Sequence, residues 1–170
     1  MLCYNITTQE MERLMVDAFS PHNHYSCINT GLSHAAEFCQ IHNLRFTSAR
    51  RRVLQILLTE HRAMGAYEVL DILKQDGIAH QPPAAYRALD FLVSHGFAHK
   101  IERLNAFVGC AYSQSEHVPA FLICRLCNSV AEATAPEQEA LEPLAQISGF
   151  TIERTIVEAL GLCPRCQVKK

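Results

Sequence analysis

Two pairs of cysteines carry the clearest chemistry in the chain: Cys124-Arg125-Leu126-Cys127 and Cys163-Pro164-Arg165-Cys166. Two residues between thiols let one turn of backbone present both sulfurs to a single ion, and two such turns complete a tetrahedron of the kind that holds structural zinc. Asn128, directly after the first pair, tolerates the left-handed backbone such knuckles often need. A dithiol redox pair would need only one of the motifs, set on a strand-to-helix turn within a βαβ pattern, and the sequence has no such pattern. The spacing therefore predicts a closed four-thiolate site.

His99 and Cys110 become a second candidate once the chain around them is read as a hairpin. Phe97 to Arg103 and Ala106 to Cys110 alternate in character, with Leu104-Asn105 between them as the turn. That turn sets Arg103 opposite Ala106, Ile101 opposite Val108 and His99 opposite Cys110. Directly opposed residues share a face with β-carbons roughly 4.5 to 5.5 Å apart, whereas a one-residue slip would send them to opposite faces. An imidazole and a thiolate so placed form half of a tetrahedral site; His117 and Glu132 are candidates for the other half. The competing reading is that each is a packed side chain. A Cys–His–His–Glu set suits zinc, and cobalt would fit it too.

The elements that must position these groups can be read from periodicity. A helix is expected over His34 to Asn43, and another opened by Thr47 and carrying Val53, Ile56, Leu57 and Leu58. Arg50, Arg51 and Arg52 crowd the first turns of that second helix, where the helix dipole disfavours cations, so either a phosphate partner or plain solvation is implied. Tyr67 to Lys74 reads as a third helix, stopped at Gly77. Gln81-Pro82-Pro83 opens a fourth, with Ala85, Leu89 and Leu92 inward, Arg87, Asp90 and Ser94 outward, and Gly96 at its end. Three helices and a hairpin describe a winged helix-turn-helix, in which the helix before the hairpin enters the DNA major groove. Beyond Cys110, strands are expected at Phe121 to Ile123, Val130 to Ala133 and Phe150 to Val157. A capping box at Thr134-Ala135-Pro136-Glu137 should open a helix carrying Leu141, Leu144 and Ile147. The fold class is α+β: an N-terminal extension over 1–33, a winged-helix DNA-binding domain over 34–110, and a small α/β zinc-binding and dimerisation domain over 111–170.

The totals bound the function. The chain has 170 residues, 49% of them hydrophobic, and no apolar run long enough to span a membrane or to read as a secretion signal. A cytoplasmic location is expected, where eight cysteines are better explained by metal or thiol chemistry than by disulfides. The net charge of −2 hides a gradient: 44–103 carry nine basic residues against six acidic, between acidic ends. A basic middle suits a nucleic-acid partner.

These residues in this order resemble the ferric uptake regulator family and, within it, its zinc-sensing members. The segment from Pro82 to Leu92 resembles the family's DNA-reading helix, and Gly96-Phe97-Ala98-His99-Lys100 the start of its wing. Cys124-Arg125-Leu126-Cys127 resembles the first zinc knuckle, and Ile156 to Cys163 the stretch before the second. The resemblance implies a zinc-responsive repressor, not an enzyme. It implies a homodimer on palindromic double-stranded DNA, with two Zn2+ per subunit and neither membrane nor small organic ligand. Cys124, Cys127, Cys163 and Cys166 fall on its structural ligands, and His99, Cys110, His117 and Glu132 on its regulatory ones. Tyr67 and Arg87 match positions that touch DNA, and Arg50 and Tyr86 are the further candidates. Only Ser115-Glu116-His117-Val118 stands where iron and peroxide sensors carry several histidines, and Ala84 replaces the usual Ser or Thr. The alternatives are a sensor of another metal such as iron, or a cytoplasmic thiol redox protein. Cys3, His22, His24 and Cys27 are too irregularly spaced to imply a further site.

Overall fold

The structure, a computed structural model, describes residues 24–60, 62–110, 118–134 and 141–168. The described residues up to 110 make one compact unit and those from 118 make another. The N-terminal unit runs α1 (His24–Ile41), α2 (Ser48–Glu60), β1 (Met64–Gly65), α3 (Ala66–Gln75), α4 (Pro82–Ser94), β2 (Ala98–Ile101) and β3 (Ala106–Gly109). The Thr47 hydroxyl accepts the Arg50 N–H at 3.3 Å, the cap expected for α2. Pro82 and Pro83 occupy the first turn of α4. Leu54 and Leu57 of α2, Leu70 and Leu73 of α3, and Leu89 and Leu92 of α4 are all buried. Each contributes about 1.5 to 3 kcal/mol through removal from water. Helices α2 to α4 followed by the hairpin form the winged-helix arrangement.

Three local expectations change. Helix α1 begins at His24 rather than His34 and ends at Ile41, because Ile28 and Leu32 pack against the core and stabilise first turns that show little periodicity. The short strand β1, invisible to any pattern at two residues, pairs with Ala106 and Phe107. The hairpin turn is longer than Leu104-Asn105: Glu102–Leu104 form a 3-10 turn, and Asn105 follows with φ of 44°. A two-residue hairpin turn would require a positive φ at Leu104 as well. The longer loop moves the register by two, so His99 lies opposite Val108 and Ile101 opposite Ala106. The expected pairings of Arg103 with Ala106, Ile101 with Val108 and His99 with Cys110 are thus corrected.

The C-terminal unit comprises β4 (Pro119–Cys124), β5 (Val130–Thr134), α5 (Glu142–Ser148), β6 (Val157–Gly161) and α6 (Pro164–Gln167). Its sheet has the order β5-β4-β6, with β4 antiparallel to β5 and parallel to β6. The last strand was expected at Phe150 to Val157, yet 150–156 is irregular. The pairing partner overrides local β-propensity here: β6 aligns with β4 so that Cys124 faces Gly161. The capping box falls partly outside the described residues. The helix there closes on Gly149 in the left-handed conformation, but Leu144, Ile147 and Phe150 are exposed.

Two glycines in the N-terminal unit are dictated by geometry. Gly96 has a φ of 73°, which lets the chain leave α4 and turn directly into the wing. Gly109 lies where an added β-carbon would meet Leu58 at 2.8 Å and the Leu57 backbone at 3.2 Å. Overpacking of this kind costs about 1 to 3 kcal/mol. Gly109→Ala is therefore expected to lower the free energy of unfolding by that amount, seen as a lower urea midpoint with an unchanged slope; an unaltered midpoint would mean that α2 and β3 separate freely.

Candidate functional site

The parallel register of β4 and β6 brings the two cysteine motifs together. Both strands end at the same level, and the Arg125 N–H donates to the Gly161 carbonyl at 3.0 Å. Each motif then folds into its own tight turn. Asn128 takes a φ of 55° and donates its N–H to Cys124, while the Cys124 N–H returns to the Ser129 carbonyl. In the second motif the Cys166 N–H donates to the Cys163 carbonyl at 2.9 Å. The four sulfurs of Cys124, Cys127, Cys163 and Cys166 all lie within 4.8 Å of one another, with Cys127 and Cys163 at 3.7 Å.

The electrostatics of this cluster favour a cation. The Cys163 and Cys127 backbone N–H groups hold the Cys124 thiol down to about 6. The Ser129 hydroxyl, 3.1 Å away, lowers Cys127. Cys166 is pushed up to about 12, chiefly by its hydrogen bond with Cys163. Four sulfurs this close cannot all ionise without a positive charge among them, and a tetrahedral dication with an affinity for thiolates removes that conflict. The donor set therefore fits zinc in a closed, non-catalytic geometry.

His99 and Cys110 lie on the wing. Because the register moved by two residues and side chains alternate with a period of two, both remain on one face as diagonal neighbours. The Cys110 N–H bonds the Phe97 carbonyl at 3.0 Å, continuing the ladder past β3. Both side chains are buried, and a ring nitrogen of His99 lies within 4.8 Å of the Cys110 sulfur. Glu132 is half-buried on β5 opposite Phe121. His117 lies outside the described residues, as do Cys3 and His22.

The other candidates occupy the first turns of α3 and α4. Tyr67 is 65% exposed and meets Tyr86 edge-on, ring centroids 6.4 Å apart. Arg87, one residue further along α4, is exposed, and its Nε donates to the Pro83 carbonyl at 3.1 Å. The arginines of α2 stand elsewhere. The Arg50 guanidinium lies 3.5 Å from the Phe91 ring centroid and donates to the Arg45 carbonyl. Arg51 lies over Phe46, and Arg52 pairs with Asp76 at 2.6 Å. Sequence reasoning missed Arg62, whose guanidinium forks onto Glu68 and holds that carboxyl below its usual range. The Gly65 N–H adds to the lowering of that carboxyl, which lies in the first turn of α3 just beside Tyr67. A Gly followed by an acid three residues on was the available signal.

The profile of the ferric uptake regulator family matches residues 41–159. The chain belongs to the ferric uptake regulator family. Among curated members of the family, it is 37% identical over 137 residues to the zinc uptake regulation protein of Escherichia coli (strain K12), covering 79% of this chain and 80% of that one. The protein of the same name from Shigella flexneri gives the same identity and coverage. Among solved structures of this family, it resembles a zinc uptake regulator complexed with zinc and DNA. The TM-score is 0.78 at 36% identity, over 84% of this chain and 97% of that one. Holo XcZur gives a TM-score of 0.73 at 36% identity, over 82% of this chain and 99% of that one.

Cys163→Ser keeps the size of the side chain but replaces a soft thiolate with a hydroxyl. Elemental analysis is expected to find about one zinc per chain fewer, with loss of the C-terminal unit's far-UV signal on mild heating. Full zinc content in the variant would place the ion elsewhere.

Proposed function

We propose that this protein is a zinc-responsive transcriptional repressor whose zinc-loaded homodimer binds palindromic operators of zinc-uptake genes and releases them when zinc is scarce. The observation that carries this reading is the likeness, over 84% of the chain, to a zinc uptake regulator complexed with zinc and DNA. Winged-helix geometry, with Tyr67, Tyr86 and Arg87 exposed on the first turns of α3 and α4, supplies the surface such binding needs. Arg87 can offer a bidentate fork to a base edge, and the two tyrosines offer hydroxyls to phosphates.

Two zinc ions per subunit then have different tasks. The first, held by Cys124, Cys127, Cys163 and Cys166, keeps the small C-terminal sheet folded. The second uses His99 and Cys110 on the wing, with His117 and Glu132 as its remaining ligands. Its binding would orient the two reading helices of a dimer for successive major grooves, about 34 Å apart. A switch from about 1% to 99% bound needs a difference near 5.5 kcal/mol in DNA binding between the two states. Exposed Leu144, Ile147 and Phe150 give the C-terminal unit the apolar surface that a second copy would cover. Among the described residues no helix is long and apolar enough to cross a membrane.

The test begins with a duplex recovered from a random-sequence pool by the zinc-loaded wild type, then labelled for fluorescence anisotropy. Wild type is expected to bind only with zinc in excess of one ion per chain. Cys110→Ala should remain dimeric and keep the first zinc but lose the response, while Arg87→Ala should weaken binding by about 10-fold to 100-fold at every zinc level. Recovery of no sequence would overturn the repressor reading, and a normal zinc response in Cys110→Ala would remove the wing pair from the sensor. Ile147→Asp is expected to shift the sedimentation profile to monomer; an unchanged dimer would place the interface elsewhere.

A further inference from the structure

Arg50, Arg51 and Arg52 are the densest run of positive charge in the chain, and on a DNA-binding unit they invite assignment to phosphates. Their surroundings differ from that assignment in each case. Arg52 is spent on Asp76 and on Gln55, and Arg51 leans over Phe46. Arg50 is the most constrained of them: its guanidinium covers the face of Phe91 at 3.5 Å while donating an N–H to the Arg45 carbonyl. Phe91 belongs to the reading helix α4 and is buried. His95, at the end of α4, stacks on the same ring with centroids 4.3 Å apart and bonds the Phe91 carbonyl through Nδ1. Phe38 of α1 meets the His95 ring edge-on.

We infer that Arg50 is a positioning residue for DNA reading: it fixes the roll of α4 through Phe91 and presents no charge to the nucleic acid. This inference rests on the proposed DNA-binding function. One planar cation spans three segments, the connection at Arg45, the start of α2 and the last turn of α4. Phe91 is one turn beyond Arg87, so a change in how Phe91 seats is passed along a rigid helix to the exposed arginine. Stacking together with an in-plane N–H bond requires the flat guanidinium fork. A lysine ammonium can meet a phosphate as a point charge but cannot reproduce this pair of contacts.

That difference gives a test with opposite outcomes for the two roles. The probe is the labelled duplex recovered by the zinc-loaded wild type, measured across a salt series with Arg50→Lys, Arg50→Gln, Phe91→Leu and the Arg50→Lys/Phe91→Leu double variant. If Arg50 positions α4, Arg50→Lys binds roughly tenfold more weakly although its charge is kept, in line with loss of a cation–π contact. Phe91→Leu then shows a similar loss, the double variant is little worse than either single one, and the slope of log affinity against log salt stays at the wild-type value. If Arg50→Lys binds as wild type does, or if Arg50→Gln lowers the salt slope by about one phosphate per subunit, Arg50 touches the backbone and the inference fails. Near-UV circular dichroism of each variant identifies any loss that comes from unfolding; an Arg50→Lys variant that stays folded and binds normally overturns the inference outright. Should the wild type recover no sequence at all, it is the DNA-binding reading that has failed.

Discussion

Four thiols within 4.8 Å of one another are the constraint on which the C-terminal unit depends. Among the described residues its sheet has three strands, and the strand β6 and helix α5 leave most of their side chains exposed. A sheet this small has little apolar burial with which to choose one register over another. The sulfur cluster makes that choice: only when β4 and β6 run parallel and end together do the two tight turns face a common centre. The left-handed Asn128, the Ser129 hydroxyl beside Cys127 and the Arg125–Gly161 hydrogen bond are local consequences of the same requirement. Zinc in such a unit belongs to the folding reaction as much as a hydrophobic core belongs to a larger domain.

The N-terminal unit solves a different problem, the presentation of a few polar groups from a rigid frame. Its leucine core sets α2, α3 and α4 against one another, and polar contacts refine the ends. Glu68 pairs with Arg62 at the start of α3, beside Tyr67. Arg50 lies on Phe91 within α4. The Arg62–Glu68 pair is worth little at an exposed surface, whereas the Arg50 guanidinium packs on the buried Phe91 ring.

Much of this was legible in sequence because the signals were local. Paired cysteines, a threonine cap, a Pro-Pro helix start and a terminal glycine each act over a few residues, and each stands where its chemistry requires. The misreadings have a common cause in partners distant along the chain. Strand β6 could not be placed at Val157–Gly161 without knowing that it lies beside β4, since 150–156 offers comparable β-formers. The arginine run could not be assigned before Phe91, Phe46 and Asp76 were known to be adjacent. The wing register was off by two residues, because Leu104 resists the backbone that a two-residue turn demands. The proximity of His99 and Cys110 survived that error, since an even displacement on a pleated strand preserves the face.

The close of α4 carries a consequence for how this unit can respond to anything bound at the wing. Phe97 donates its N–H to Leu92 at the end of the reading helix and accepts the Cys110 N–H with its carbonyl, and its ring is buried in the core. Helix end, wing strand and Cys110 are thus riveted through one residue. A displacement of the wing at Cys110 is therefore passed through Phe97 to the end of α4. Were a ligand held at Cys110, it would act on the end of α4 as well as on the wing. One aromatic residue thus couples a thiol on the wing to the helix that precedes it.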